Sequence, residues 1–524
     1  MNARTGRGRA ARTAVIGATL LALGGLALAG PALAQGLDPG PETIATAPPS
    51  SPQTPSPPPP AAAPAPAASG VEVQPLTSLD LFSTGRETGL GIDLWNGASV
   101  DIARAVIPTI GVRPLSPAFE ELALRLLSTA ATAPSGAGDD LDLAAARVKA
   151  LLVLGDAGVV ESILDRTSGV ANSPALSQAG AEAALITGHE DKACAIGEAL
   201  ASERDAPYWL RLRAYCQARA GKTDAAQLTL TLANQQAKDP TFTRMMTVIL
   251  AGAGDPGAPS LRGGLDYAMT RRLQLDPTPA LPGASRAVAR QIALGRAGLA
   301  PTAPVQAGEA DILIALRAAK GGRPYLDAAV AASPQIAALV AARAPLANPV
   351  QLATAALAGG DLATAQAIRA GMVSDSLAGA SPVDLAILDA GLAVAANHPD
   401  AQTLDRLAER GAATAGAART RAQGATAIYA ALQGPMSPQE RGEFIRFDLG
   451  RGEAPARLMA LDLAAEAGAR GETGLVALLI AENGGGAGPD PADRARIERA
   501  LVKAGLAKDA RAVALEGLIA LQSR

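Results

Sequence analysis

Apolar residues recur at helical spacing along most of the chain. Leu122, Leu126 and Leu127 form one stripe, and Leu385, Leu388 and Leu392 form another. Glycines punctuate these stretches: Gly155, Gly188, Gly221 and Gly254 follow one another at intervals of 33 residues. Each lies between short Ala/Leu-rich segments, as in Gly188-His-Glu-Asp-Lys-Ala193 and Gly221-Lys-Thr-Asp-Ala-Ala226. A glycine followed five residues later by alanine lets a tight helix–turn–helix hairpin close. The pattern predicts an all-α chain built from hairpins.

Farther along, the turn candidates are Gly322, Gly360, Asn397, Gly434, Gly471 and Gly505; the spacing is 37 residues from 360 to 471, then 34. Two turn-rich runs, Gly252 to Pro259 and Asp276 to Gly283, bracket one short helix around Leu265 to Leu273. Residues 255–283 therefore read as an irregular junction between a first array, 118–254, and a second, 284–524. The first array opens at Ser116-Pro-Ala-Phe-Glu-Glu121, with proline at the first helical position and acids in the first turn. Before it, residues 71–117 carry Phe82, Trp95 and the turn Asn96-Gly97, with one short helix from Ser99 to Ile107. This stretch is expected to cap the first hairpin.

The N-terminal pattern is different. Arg4, Arg7, Arg9 and Arg12 precede an uncharged, mostly apolar run from Ala14 to Ala29, and Ala32-Leu-Ala34 offers a small-residue cleavage site. Residues 1–34 read as an export signal, which places the protein in the periplasm, or anchored in the membrane and facing the periplasm if the signal stays uncleaved. Residues 35–70, with Pro57-Pro-Pro-Pro60 and Ala61-Ala-Ala-Pro-Ala-Pro66, cannot bury a core and read as a disordered linker. Without the four signal arginines, Lys+Arg falls from 46 to 42 against 49 acids, a net charge near −7. Nucleic acid and anionic lipid surfaces need a basic footprint, so neither is expected as a partner. Aromatics make up only 2% of the chain, so the core must come from Ala, Leu, Val and Ile on many helices.

The hairpins resemble the tetratricopeptide-repeat and Sel1-like α-solenoids, a family whose repeat is about 34 residues. Gly360-Asp361-Leu362-Ala-Thr-Ala365 matches the family's Gly-acid-hydrophobic turn, and Gly155-Asp156 matches its first two positions. Seven residues before the turn glycines, Ala181, Ala214, Ala353 and Ala464 occupy the small position of the first helix; five after them, Ala193, Ala226, Ala365 and Ala510 occupy that of the second. The chain departs from the family in its missing bulky aromatics, its 37-residue spacings and the prolines after Gly254. The resemblance implies a right-handed α-α superhelix that binds proteins on its concave face.

Candidate chemistry is sparse. The two histidines, His189 and His398, fall in predicted turns, and neither an H-E-x-x-H, G-x-S-x-G nor P-loop motif is present. No catalytic residue, metal ligand or cofactor is expected, and a small-molecule ligand is not expected either. Cys194 and Cys216, the only cysteines, lie 22 residues apart in consecutive predicted helices. In an exported chain that pairing favours a disulfide, with two buried thiols as the alternative. Tyr208, Trp209 and Arg213 have two readings: packing between hairpins, or a stacking site for a sugar or an arginine-rich partner. The functional expectation is an exported, non-enzymatic scaffold or adaptor for protein–protein interactions in the bacterial cell envelope. Two alternatives stand beside it: a structural envelope component on a Pro-rich stalk, and a cell-wall-processing enzyme of superhelical type.

Overall fold

The structure, a computed structural model, describes residues 81–524 apart from 138, 298–307, 373–379, 434–436, 450–451, 453–454 and 524. The expected signal 1–34, the linker 35–70, residues 71–80 of the expected cap and the turn candidate Gly434 lie outside the described residues. Those described form helices joined by turns and loops, with no strand among them. The fold is all-α. Among the described residues, no helix is long and apolar enough to cross a membrane.

Two helices precede the arrays, α1 (Val100–Val106) and α2 (Pro117–Ser128). The first array pairs α3 (Leu141–Val153) with α4 (Ala157–Asp165), α5 (Pro174–Thr187) with α6 (Glu190–Ala199), and α7 (Pro207–Arg219) with α8 (Thr223–Gln236), and ends in α9 (Pro240–Ala251). The junction carries α10 (Gly264–Arg272) and leads to α11 (Arg286–Ala297). The second array contains α12 (Glu309–Ala318), α13 (Gly322–Ala341), α14 (Pro349–Ala358), α15 (Leu362–Ala370), α16 (Pro382–Ala395), α17 (Ala401–Ala412), α18 (Gly416–Ala431) and α19 (Pro438–Phe444). It closes with α20 (Pro455–Glu466), α21 (Arg470–Ala481), α22 (Pro491–Lys503) and α23 (Ala507–Gln522).

Local chemistry explains where these helices start and stop. Pro117, Pro174, Pro207, Pro240, Pro349, Pro382 and Pro491 open their helices, where a missing N–H costs nothing. The side chains of Asp140, Asp156, Ser173, Asp239, Asp361, Ser381, Asp400 and Asp490 accept first-turn N–H groups. Gly155, Gly188, Gly221, Gly360 and Gly505 adopt positive φ at the expected turns, as does Asn397. Two expected turns are displaced. Pro256 and Pro259 follow Gly254, and no second helix of a hairpin forms there; α9 is instead ended by Gly252. Gly468 makes the turn and Gly471 lies inside α21, where the Trp95 ring packs in the place a Cβ would take.

All eight predicted small positions are buried: Ala181, Ala214, Ala353, Ala464, Ala193, Ala226, Ala365 and Ala510. They let the helices of a hairpin approach closely. First helices of successive hairpins also lie side by side, α3 with α5, α14 with α16, and α16 with α18. These rows are covered by the chain's own helices. In the first array α10 packs on α5, and α11 on α3 and α5; in the second, α23 lies across α14, α16 and α18.

The expected N-terminal cap does more than shield the first hairpin. Helices α1 and α2 pack on α21, and α2 also packs on α23, so Phe82, Trp95 and Phe119 share a core with Leu475, Ile497, Leu501 and Val513. The Glu516 carboxylate of α23 accepts from Ser116 Oγ and, at 2.6 Å, from Ala118 N, which caps α2 from the far end of the chain. Arg494, 2% exposed, donates to Glu516 at 3.1 Å and to the Val513 carbonyl at 2.9 Å. Glu472 accepts from Ser99 N at 2.7 Å at the start of α1. Arg125–Asp509 and Arg470–Asp93 ion pairs flank the seam. Glu120 of α2 pairs with both Arg286 of α11 and Arg323 of α13.

Breaking this seam leaves Arg494 buried without its carboxylate, so Glu516→Ala is expected to lower unfolding free energy by about 3 kcal/mol or more in urea titration. A different outcome is expected at Glu498, whose fully buried carboxylate has no hydrogen-bond partner. Burial pushes its carboxyl well above the usual range, and the Arg494 charge offsets this only in part. A raised folded-state pKa makes the acid costly once pH exceeds the unfolded value of about 4.3. Glu498→Gln should therefore raise the melting temperature at pH 7, with the gain shrinking to nothing near pH 4.

Candidate functional site

The first array holds both cysteines and the densest group of aromatics. Cys194 on α6 and Cys216 on α7 are joined, with Cα atoms 5.7 Å apart. The bond links the second helix of one hairpin to the first helix of the next. Between them, Arg204 folds back and donates to the carbonyls of Glu198 and Leu200 at 3.0 and 3.2 Å, which closes the loop.

Tyr208, Trp209 and Arg213 sit close together on α7, but they face different surroundings. Trp209 is 4% exposed and packs in a core with Leu212, Tyr215, Phe242 and Met246. Tyr208 meets it edge to face, ring centres 5.0 Å apart. The Tyr208 hydroxyl is buried beside the Glu182 carboxylate without closing a hydrogen bond, and burial together with that negative charge holds it well above its ordinary pKa. Arg213 donates to the Arg204 carbonyl at 3.1 Å. Trp209 thus serves the packing between hairpins. Its position on α7, between α6 and α8, turns its ring inward and away from any stacking partner at the surface.

A polar cluster that the sequence reading left unassembled lies at the Gly188 turn. Glu161 of α4 accepts from Thr187 Oγ1 at 2.7 Å and from Lys192 Nζ at 2.9 Å, and lies 2.8 Å from His189 Nδ1. Lys192 also pairs with Asp165. Burial pushes the Glu161 carboxyl up, but the bonds from Lys192, Thr187 and His189 and the Lys192 charge outweigh it and hold it below the usual range. Next to it, Glu190 accepts from Tyr215 Oη at 2.7 Å and pairs with Arg219 and Arg271. The Thr187 hydroxyl and the Glu161 carboxylate together hold His189 at the turn. The 28 residues separating Glu161 from His189, one helix plus one loop plus one helix, are the sequence signal that could have paired them. Among the described residues, no three His, Cys, Asp or Glu side chains are placed to hold a metal.

Recesses and exposed apolar pairs lie elsewhere on the described residues. A groove of about 580 Å3 runs between α3 and α5, roofed by Arg262-Gly263 and by Ser285 to Ala287. A pocket of about 330 Å3 lies where α12, α14 and α16 meet the end of α23, with Tyr325, Thr354, Asp384 and Arg421 in its wall. Leu228 and Leu232 stand one turn apart on α8 with Leu228 65% exposed; Met459 and Leu463 do the same on α20 with Met459 63% exposed.

Compared with protein-family models, curated proteins and solved structures, the chain matches none.

The disulfide closes a loop of about 22 residues, for which chain entropy gives about 3 kcal/mol. Cys194→Ala/Cys216→Ala should lower unfolding free energy by that order in denaturant titration. Reduction with dithiothreitol should have the same effect on the wild type and none on the double variant.

Proposed function

We propose that this chain is an exported, non-enzymatic helical-repeat scaffold or adaptor that gathers protein partners in the bacterial cell envelope. On this reading its hairpins follow a right-handed α-α superhelix related to the tetratricopeptide-repeat and Sel1-like solenoids. The buried alanines at every predicted small position support that reading. The periplasm is the compartment that suits the basic, then apolar, N-terminal segment and the cysteine pair.

The observation that carries the proposal is the pair Leu228 and Leu232 on the outer side of α8, beside a hairpin tied by a disulfide. Two exposed leucines one turn apart on a braced helix form an apolar anchor of the kind that partner proteins bury. Inner faces suit a partner less well, because α10, α11 and α23 already occupy the rows formed by α3, α5, α14, α16 and α18. The scaffold therefore engages partners through outer helices.

Affinity purification of tagged protein from periplasmic extract should recover a defined partner set that Leu228→Asp/Leu232→Asp loses while keeping wild-type helix content. An identical set from the variant removes α8 from the interface. A protein that runs alone and clears murein in a zymogram overturns the scaffold reading. Release by a salt wash is the expected fractionation result, and retention in membranes would favour a stalked, anchored component.

A further inference from the structure

Helix α8 uses one side for its hairpin and leaves the other bare. Ala226, Thr229, Leu230 and Ala233 are buried, and the helix packs on α7 and α9. The remaining side exposes Gln227, Leu228, Thr231, Leu232, Gln235 and Gln236, a continuous stripe with steps of three and four residues. Leu228 and Leu232, 65% and 44% exposed, lie in the middle of it. We infer that this stripe pairs with the same stripe on a second copy of the chain, the two α8 helices running antiparallel about a twofold axis near Thr231.

Charge and hydrogen bonding select the occupant. Residues 225–237 contain no charged side chain, in a chain where 18% of residues are charged. In a twofold contact the residues nearest the axis meet their own kind, so a charged stripe would repel its copy. A partner chosen by opposite charge finds nothing here to recognise. The polar groups are complementary to themselves. The amides of Gln227, Gln235 and Gln236 carry both donors and an acceptor and make no hydrogen bond among the described residues. Thr231 donates to the Gln227 carbonyl at 2.9 Å, and its oxygen can still accept. A second copy supplies both halves of each such bond.

The ends of the stripe fix the direction. Lys222 and Asp224 are exposed at its start and Lys238 past its finish. An antiparallel pair mixes the signs at each end, whereas a parallel pair sets each charge against its own kind. The exposed pair on α20 lacks this neutrality: Asp462 and Glu466 flank Leu463 there and hold ion pairs with Arg496 and Lys503, so a copy would meet fixed charges. A helix of 14 residues is about 21 Å long. A contact one helix wide covers less than the roughly 1,200 Å2 of a standard interface, so the dimer is reversible and grows with concentration. This inference rests on the reading of α8 as the scaffold's docking face and names what docks there.

Sedimentation velocity of the full chain over a concentration series tests the inference. The wild type should pass from monomer to dimer as concentration rises. Leu228→Asp/Leu232→Asp, with wild-type helix content by circular dichroism, should weaken dimerisation at least about tenfold. Thr231→Cys should crosslink to its own copy in a glutathione redox buffer, and Lys222→Cys, at the end of the stripe, should not. A wild type that stays monomeric, a dimer that the aspartate variant retains, or crosslinking at 222 without crosslinking at 231 overturns the inference. The scaffold reading fails separately, in affinity purification. Partners that the α8 variant loses from a strictly monomeric protein keep that reading and sink this one; a dimer that recovers no other protein does the reverse.

Discussion

One carboxylate holds the two ends of the described chain together. Glu516, on the last helix, caps the first turn of α2 and receives Arg494, a guanidinium buried on every side. A buried guanidinium is tolerated only when its donors are met and its charge is balanced. Here Glu516 supplies the charge, and the carbonyls of Val513 and Ala487 also accept from the guanidinium. Arg147 shows the same logic without a carboxylate: 1% exposed, it donates to the carbonyls of Leu81, Thr84, Leu127 and Thr129 and stacks over Phe82. These two arginines pin the segment from Leu81 to Thr129 between the first hairpin and the last helices.

That closure answers a shortage of bulk. With so few aromatics, no single pair of helices buries enough apolar area to stand alone. The chain responds by covering its helices from both sides. Helix α5 meets α3, α4, α6, α10 and α11, and α23 meets α2, α14, α16, α18 and α22. Two of the aromatics lie where segments distant in sequence join, Trp95 against α21 and Phe119 beside Arg494. Glycines at 471 and 474 serve the same end, since Trp95 and Leu126 pack where their side chains would be.

A chain that fills its own inner faces presents different surfaces from an open array. Its remaining apolar anchors lie on outer helices such as α8, and its remaining recesses lie where the self-coverage is incomplete, as between α3 and α5. The exposed leucines of α8 and the groove beside α3 and α5 lie in separate places on the chain.

Much of this was legible in the sequence, for reasons that are local. Positive φ at Gly155, Gly188, Gly221 and Gly360 belongs to each glycine, and aspartate or serine caps need only the three residues that follow, so hairpins could be placed residue by residue. The cysteines' place in adjacent helices favoured a disulfide over two buried thiols, and the bond forms. What the sequence could not announce depends on segments hundreds of residues apart. Gly471 has the look of a turn glycine until Trp95 is packed against it. The inward face of Trp209, the pairing of Glu161 with His189 and the return of α10 onto α5 likewise arise only after folding. Hairpins are encoded by neighbours along the chain; the closure, the filled faces and the groove left between α3 and α5 come from burial and charge pairing between parts of the chain that only the tertiary structure brings together.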